Sequence, residues 1–252
     1  MGGEQAPGRR AVRLAHVRSP ELVGGALLVV PIGSIEQHGP HLPLSTDLVV
    51  AEHAAERAAD ELAAGSDAPE GGVVLAPAVP YGSSGEHQGF PGTASIGREA
   101  LRMVVIELVR SVSDWAAWTV FVNGHGGNAP TLAEALTQLR DEGHDVAWAP
   151  CSPPGSDAHA GRAETSMMLA LHSDRVALDL AEPGPTAPIE ELLPRLQEEG
   201  VRAVSPNGVL GDPTGASAEE GAALLDAVVA DVVARISDWQ LGRNAVLERL
   251  SP

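Results

Sequence analysis

Residues 31–47 read Pro-Ile-Gly-Ser-Ile-Glu-Gln-His-Gly-Pro-His-Leu-Pro-Leu-Ser-Thr-Asp. Glu36, His38, His41 and Asp47 crowd into this Gly- and Pro-stiffened stretch. Carboxylate oxygens and imidazole nitrogens are the donors that zinc, iron and manganese take. Three further loops repeat the theme. Tyr81 to Phe90 carries Glu86 and His87, Asn123 to Asn128 carries His125 beside Gly124, Gly126 and Gly127, and Asp157 to Glu164 carries His159. Taken singly, each residue has a plainer reading. Asp47 can cap a helix, and Glu164 can be a first-turn acid favoured by the helix dipole. A lone His125 can be structural, His87 and His159 can be surface residues, and Tyr81 can line a site or merely end a strand. Recurrence in four loops favours a shared site.

Rival catalytic signatures are missing. The chain has no Gly-x-Ser-x-Gly elbow and no His-Glu-x-x-His helix. The Gly124–Gly127 loop lacks the Lys-Ser/Thr pair of a phosphate-binding loop. Cys151 reads as a small core thiol rather than a nucleophile.

The elements that must position these loops are short apolar runs: Ala26–Ile32, Val73–Val79, Trp118–Val122 and Val146–Ala149. Such runs predict strands buried on both faces. Helical spacing covers Asp47–Ala64, Arg98–Ser113 and Thr131–Glu142. The alternation predicts an α/β fold, a mostly parallel sheet flanked by helices. In such a sheet the loops after the strands open at one edge, so residues distant in sequence converge. Beyond Cys151, helices are expected over Ala163–Leu171, Pro188–Glu199 and Ala218–Ile236, a short strand over Val201–Val204, and a loop from Gly208 to Gly215. Residues 1–10 and the last few are expected to fray.

The totals agree with one domain spanning residues 1–252, of which 44% are hydrophobic. No run of 18 apolar residues crosses a membrane, the N-terminus lacks an apolar signal core, and a single cysteine permits no internal disulfide. A cytoplasmic location is expected. A net charge of −18 repels phosphate backbones and argues against nucleic acid as a partner.

The motifs resemble those of the creatininase family of metal-dependent amidohydrolases. The resemblance rests on Gly33-Ser-Ile-Glu-Gln-His-Gly-Pro-His-Leu-Pro43 with Thr46-Asp47, Asn123-Gly-His-Gly-Gly-Asn128, His159-Ala-Gly continuing to Glu164-Thr-Ser, and Gly208-Val-Leu-Gly-Asp-Pro-Thr214. It implies Glu36, His38, Asp47 and His125 as metal ligands, with Asp47 bridging two ions, and places His159 in the catalytic pocket. It implies one or two divalent ions, Zn or Fe first and Mn as an alternative, and a homo-oligomer, a hexamer by analogy. The sequence departs from creatininase proper where the glycine-loop histidine is followed there by Tyr and a metal-binding Glu. Here Gly126 and Gly127 stand, so Glu164 is the candidate for the missing carboxylate. With Tyr81, these two glycines are the candidate substrate contacts.

Gly85 to Gly97, Asp157 to Ser166 and Ala203 to Thr214 resemble the mycofactocin branch of that family. Its members are peptidases that release the radical-modified C-terminal Val-Tyr unit from a ribosomal precursor peptide. On this resemblance the modified precursor is the substrate. His159, Glu86 or His87 would carry the proton to the leaving amine. Two other readings stay open: a small-molecule amidohydrolase acting on a creatinine-like lactam or a formamide, and a non-catalytic metal-binding scaffold.

Overall fold

A computed structural model describes residues 9–153 and 155–249. The ends expected to fray fall largely on residues 1–8 and 250–252, outside the described residues; Arg9 and Arg10 are exposed and irregular. The elements run β1 (Val12–Arg13), β2 (Ala26–Ile32), α1 (Thr46–Ala64), β3 (Val73–Leu75), α2 (Gly97–Val112), β4 (Ala116–Asn123), α3 (Ala129–Asp141) and β5 (Val146–Pro150). There follow α4 (Arg162–His172), α5 (Ile189–Glu199), α6 (Val201–Val204), α7 (Ala218–Asp238), β6 (Gln240–Leu241) and β7 (Leu247–Glu248).

The sheet order is β1-β3-β2-β4-β5, with every pairing parallel. Alternate residues of the central strand β2 feed two cores. Leu27 and Val29 pack with Val120, Val122 and the helices α1 and α7; Leu28, Val30 and Ile32 pack with Phe121, α2 and α3. Burial on both faces explains the unbroken apolar run. Pro31 is tolerated because it faces past the end of β3, where its carbonyl accepts the Val79 amide. The face of α1 toward the sheet is Ala51, Ala54, Ala55, Ala58 and Ala59, all fully buried, and small side chains let helix and sheet approach closely.

Two expectations need correction. The run Val73–Val79 is a strand only to Leu75, because Pro77 cannot continue the ladder; Val79 rejoins it in a single bridge to Ile32. Val201–Val204 is a helical turn, not a strand. Gly200 breaks α5 with φ 78°, and the Ser205 amide then donates back to the Val201 carbonyl. The two-residue strand β1 carries too little pattern to be read from sequence.

The chain runs from β2 to β3 on one side of the sheet and then crosses to β4 on the other. Loops leaving β2 and β4 therefore diverge above a topological switch point, where open α/β sheets leave a crevice for ligands.

Candidate metal centre

Two glycines let the first turn of α1 into this crevice. A side chain at Gly33 would begin 2.5 Å from the Leu48 Cα, and one at Gly124 would collide with the Asp47 carbonyl oxygen. Asp47 is not the cap of α1, since Ser45 holds that position; it sits in the first helical turn with its carboxylate toward the crevice. Asp47 Oδ1 accepts from His38 Nε2 at 2.9 Å, and Oδ2 lies 3.2 Å from His125 Nδ1. Glu36 comes in from the β2 loop, fully buried, with Oε2 3.2 Å from His125 Nδ1 and Oε1 3.2 Å from His87 Nε2.

Glu164 enters from the first turn of α4. Its Oε2 accepts the Ala160 amide at 2.6 Å and lies 3.9 Å from His38 Nε2. His159 stands between, its Nδ1 3.8 Å from Glu36 Oε1 and its ring 4.2 Å from that of His38. A backbone bridge between His159 and Leu210 holds this segment, which explains the late Gly208–Thr214 motif. Three groups of side chains bring their ligand atoms within 4.8 Å of one another: Glu36, Asp47 and His125; His38, Asp47 and Glu164; and Glu36, His38 and His159. Asp47 belongs to the first two.

The electrostatics fit cations. Both Glu36 oxygens and Asp47 Oδ2 are buried without a hydrogen-bond partner among the described residues. Left so, each would bear an uncompensated desolvation cost. The charged partners of these carboxylates among the described residues are histidines alone. Burial opposes charge on His38, yet the Asp47 carboxylate holds its pKa up at about 10. Burial opposes charge on His125 as well, and Glu36 and Asp47 raise it regardless. A divalent ion among these groups would satisfy the same oxygens in place of the histidine protons. Burial holds Glu164 up at about 7 against the pull of His38. Burial, with His38 and His87 nearby, pushes His159 well below the usual range.

Other residues take different places. His41 turns away, its Nε2 2.9 Å from Thr165 Oγ1, and joins none of the three groups. Glu86 lines the site with Oε1 3.4 Å from His125 Nε2, the ring nitrogen opposite the carboxylate cluster. Gly126 and Gly127 line the same cavity, whereas Tyr81 does not: it is 47% exposed, because the following Gly82 packs inward against Asn128 and pins the chain there. Cys151 is buried, and burial raises its thiol pKa.

The groups lie at the floor of a cavity of about 1130 Å³. Its outer wall is α5 and the turn after it, presenting Ile189, Leu193, Leu196 and Val201, with Arg98 and Arg202 also on the lining. Nothing in the sequence pattern marked α5 as part of the site. Gln37 is buried among the histidines, and a glutamine between Glu36 and His38 carries no metal-ligand signature of its own in the sequence.

Fold and site together define a parallel α/β hydrolase with a carboxylate–histidine centre fit for one or two divalent ions. The family model described as "Creatinine amidohydrolase" matches residues 15–236, and the chain belongs to the creatininase family. It is a hydrolase of amide C–N bonds. A relative from Mycolicibacterium smegmatis, "Mycofactocin precursor peptide peptidase", is 49% identical over 221 residues, covering 88% of each chain. The "Creatinine amidohydrolase" of Pseudomonas putida is 29% identical over 247 residues, covering 85% of this chain and 90% of that one. A solved structure described as "Creatininase Mn" superposes with a TM-score of 0.74 at 25% identity, over 91% of this chain and 99% of the other.

Proposed function

We propose that this protein is a metal-dependent peptidase that releases the modified C-terminal Val-Tyr unit from the mycofactocin precursor peptide. The observation that carries this reading is the size of the cavity above the centre. About 1130 Å³ exceeds the range of roughly 300–1,000 Å³ usual for drug-sized ligands. A peptide segment fits such a space better than a single lactam ring does. The 49% identity to a relative named for that peptidase supports the same substrate.

Glu36, Asp47 and His125 would hold one ion, and His38, Asp47 and Glu164 a second. The all-N/O donor set suits Zn, Fe or Mn, and the relative described with Mn adds weight to manganese. When bound, such ions polarise the scissile carbonyl and lower the pKa of a coordinated water to about 7. The protein's own part is positional. His159 Nδ1 receives the proton of the attacking water and returns it to the departing amine nitrogen. The apolar side of α5 lies along the peptide and keeps water from the far side of the scissile bond.

Incubating the metal-replete protein with the radical-modified precursor, followed by mass spectrometry, tests the proposal. Release of the C-terminal fragment is expected, with the unmodified precursor cut more slowly. An intact modified peptide alongside turnover of creatinine or a formamide would assign the site to small-molecule hydrolysis.

A further inference from the structure

The side chain of Gln37 is buried between His87 and His159, two of the three histidines that approach Glu36. Its amide orientation is fixed by two backbone groups. Oε1 accepts the Gly39 amide at 2.9 Å, so Nε2 is the other end, and it donates to the Gly208 carbonyl at 3.0 Å. The second Nε2 proton points at His87 Nδ1, 2.9 Å away. That ring nitrogen must therefore be the acceptor, and the His87 proton sits on Nε2, the atom 3.2 Å from Glu36 Oε1.

The backbone of the same residue sets the other histidine. The Gln37 carbonyl can only accept, and His159 Nε2 donates to it at 2.8 Å. Gln37 Nε2 also lies 3.1 Å from His159 Nε2, but that ring nitrogen already carries a proton, so both side-chain amide protons go to His87 and Gly208. His159 Nδ1 is left bare, facing Glu36 Oε1 at 3.8 Å. The arrangement needs room at residue 208: a side chain there would begin 2.6 Å from Gln37 Cδ, and the backbone adopts φ 84°.

We propose that Gln37 is a positioning residue whose side chain sets the tautomer of His87, while the backbone carbonyl at the same position holds that of His159, so that the site receives an N–H from one ring and a free nitrogen from the other. A bare Nδ1 is what a proton acceptor or a metal ligand requires. The inference rests on the proposed hydrolytic reading of the site, but its test does not depend on peptide turnover.

The full chain, labelled with ¹⁵N-histidine and loaded with Zn²⁺, is examined by long-range ¹H–¹⁵N spectroscopy. Both His87 and His159 are expected in the Nε2–H form. Gln37→Glu keeps the acceptor for Gly39 but cannot donate to His87 Nδ1; Gln37→Met keeps the volume and removes both functions. In the Glu variant His87 is expected to turn to the Nδ1–H form, which the new carboxylate accepts; in the Met variant, with only Glu36 Oε1 left to favour Nε2–H, a mixture of the two tautomers is expected. The His159 signature should persist, since the backbone carbonyl sets it. Zinc content should stay within a factor of two, while peptide turnover falls roughly 10- to 100-fold, the size usual for partners behind a reacting group. The Met variant guards against an effect of the new charge. An Nδ1–H signature for His87 in the unmodified protein, or an unchanged one in the Met variant, overturns the proposal. If the wild-type spectra show the expected tautomers but the peptide is not cut, the hydrolytic reading fails and this one stands.

Discussion

Asp47 reaches the centre only because the first turn of α1 rests directly on the end of β2, and Gly33→Ala tests that contact. The new Cβ would stand 2.5 Å from the Leu48 Cα and 2.6 Å from the Leu48 nitrogen. Both are backbone atoms, so no side-chain rotation relieves the clash. Ordinary contact begins at 3.4 Å, so the turn must retreat by about 1 Å. Overpacking of this kind costs about 1–3 kcal/mol. For a chain of this size each kcal/mol lowers Tm by about 2–4 °C, giving a drop of roughly 2–12 °C. The functional loss should be larger in proportion. Asp47 serves two of the three ligand groups, and a misplacement of about 1 Å in a catalytic constellation costs on the order of 100-fold in rate.

Thermal unfolding followed by circular dichroism, metal analysis and peptide turnover on one preparation read all three effects. Gly126→Ala is the control. A Cβ there meets nothing within 4 Å, so its Tm and metal content should match those of the unmodified protein. A Gly33→Ala protein with unchanged Tm, metal content and rate would refute the idea that this contact delivers Asp47.

Asp47→Asn should lower bound metal by at least one ion per chain, measured by elemental analysis, because one substitution weakens both groups that share it; a residue needed only for the start of α1 would tolerate Asn. His159→Ala should keep its metal and slow turnover by roughly two to four orders of magnitude, whereas loss of metal together with activity would make His159 a ligand instead. Cys151 should resist alkylation at pH 8 in the native protein and react once denaturant exposes it, since burial holds its thiol protonated; rapid native labelling would contradict its place in the core.

The βα alternation was legible because β2 is buried throughout and β4 and β5 over most of their length, so that each reads as a short, mainly apolar run rather than an alternating one. Elements held by few residues were not. β1 is two residues long, and Val201–Val204 is apolar like a strand yet turns because Gly200 starts a new helical turn. The convergence of Glu36, His38, Asp47, His125, His159 and Glu164 could be anticipated from loops that follow successive parallel strands. Side-chain direction could not. Tyr81 and Glu86 belong to one loop, and periodicity carries no sign that one faces water while the other reaches His125. Gln37 was hidden for the same reason: its role is set by Gly39, Gly208 and His87, partners 2, 171 and 50 positions away.

The departure from creatininase proper at residue 127 has a steric side that residue types alone conceal. The resemblance to that enzyme places a metal-binding Glu where this chain has Gly127, and Glu164 was the candidate to replace it. Glu164 lies beside His38, on the other side of Asp47 from His125. The space a side chain at 127 would enter is instead held by the Glu86 carboxylate, the His125 ring and the Ser83 carbonyl. Restoring a Glu at 127 would therefore displace the Glu86 loop and the His125 ring together. Packing of the Tyr81–Phe90 loop against the glycine loop keeps that substitution out, and the same packing leaves the cavity mouth bordered by α5 rather than by a side chain from 127.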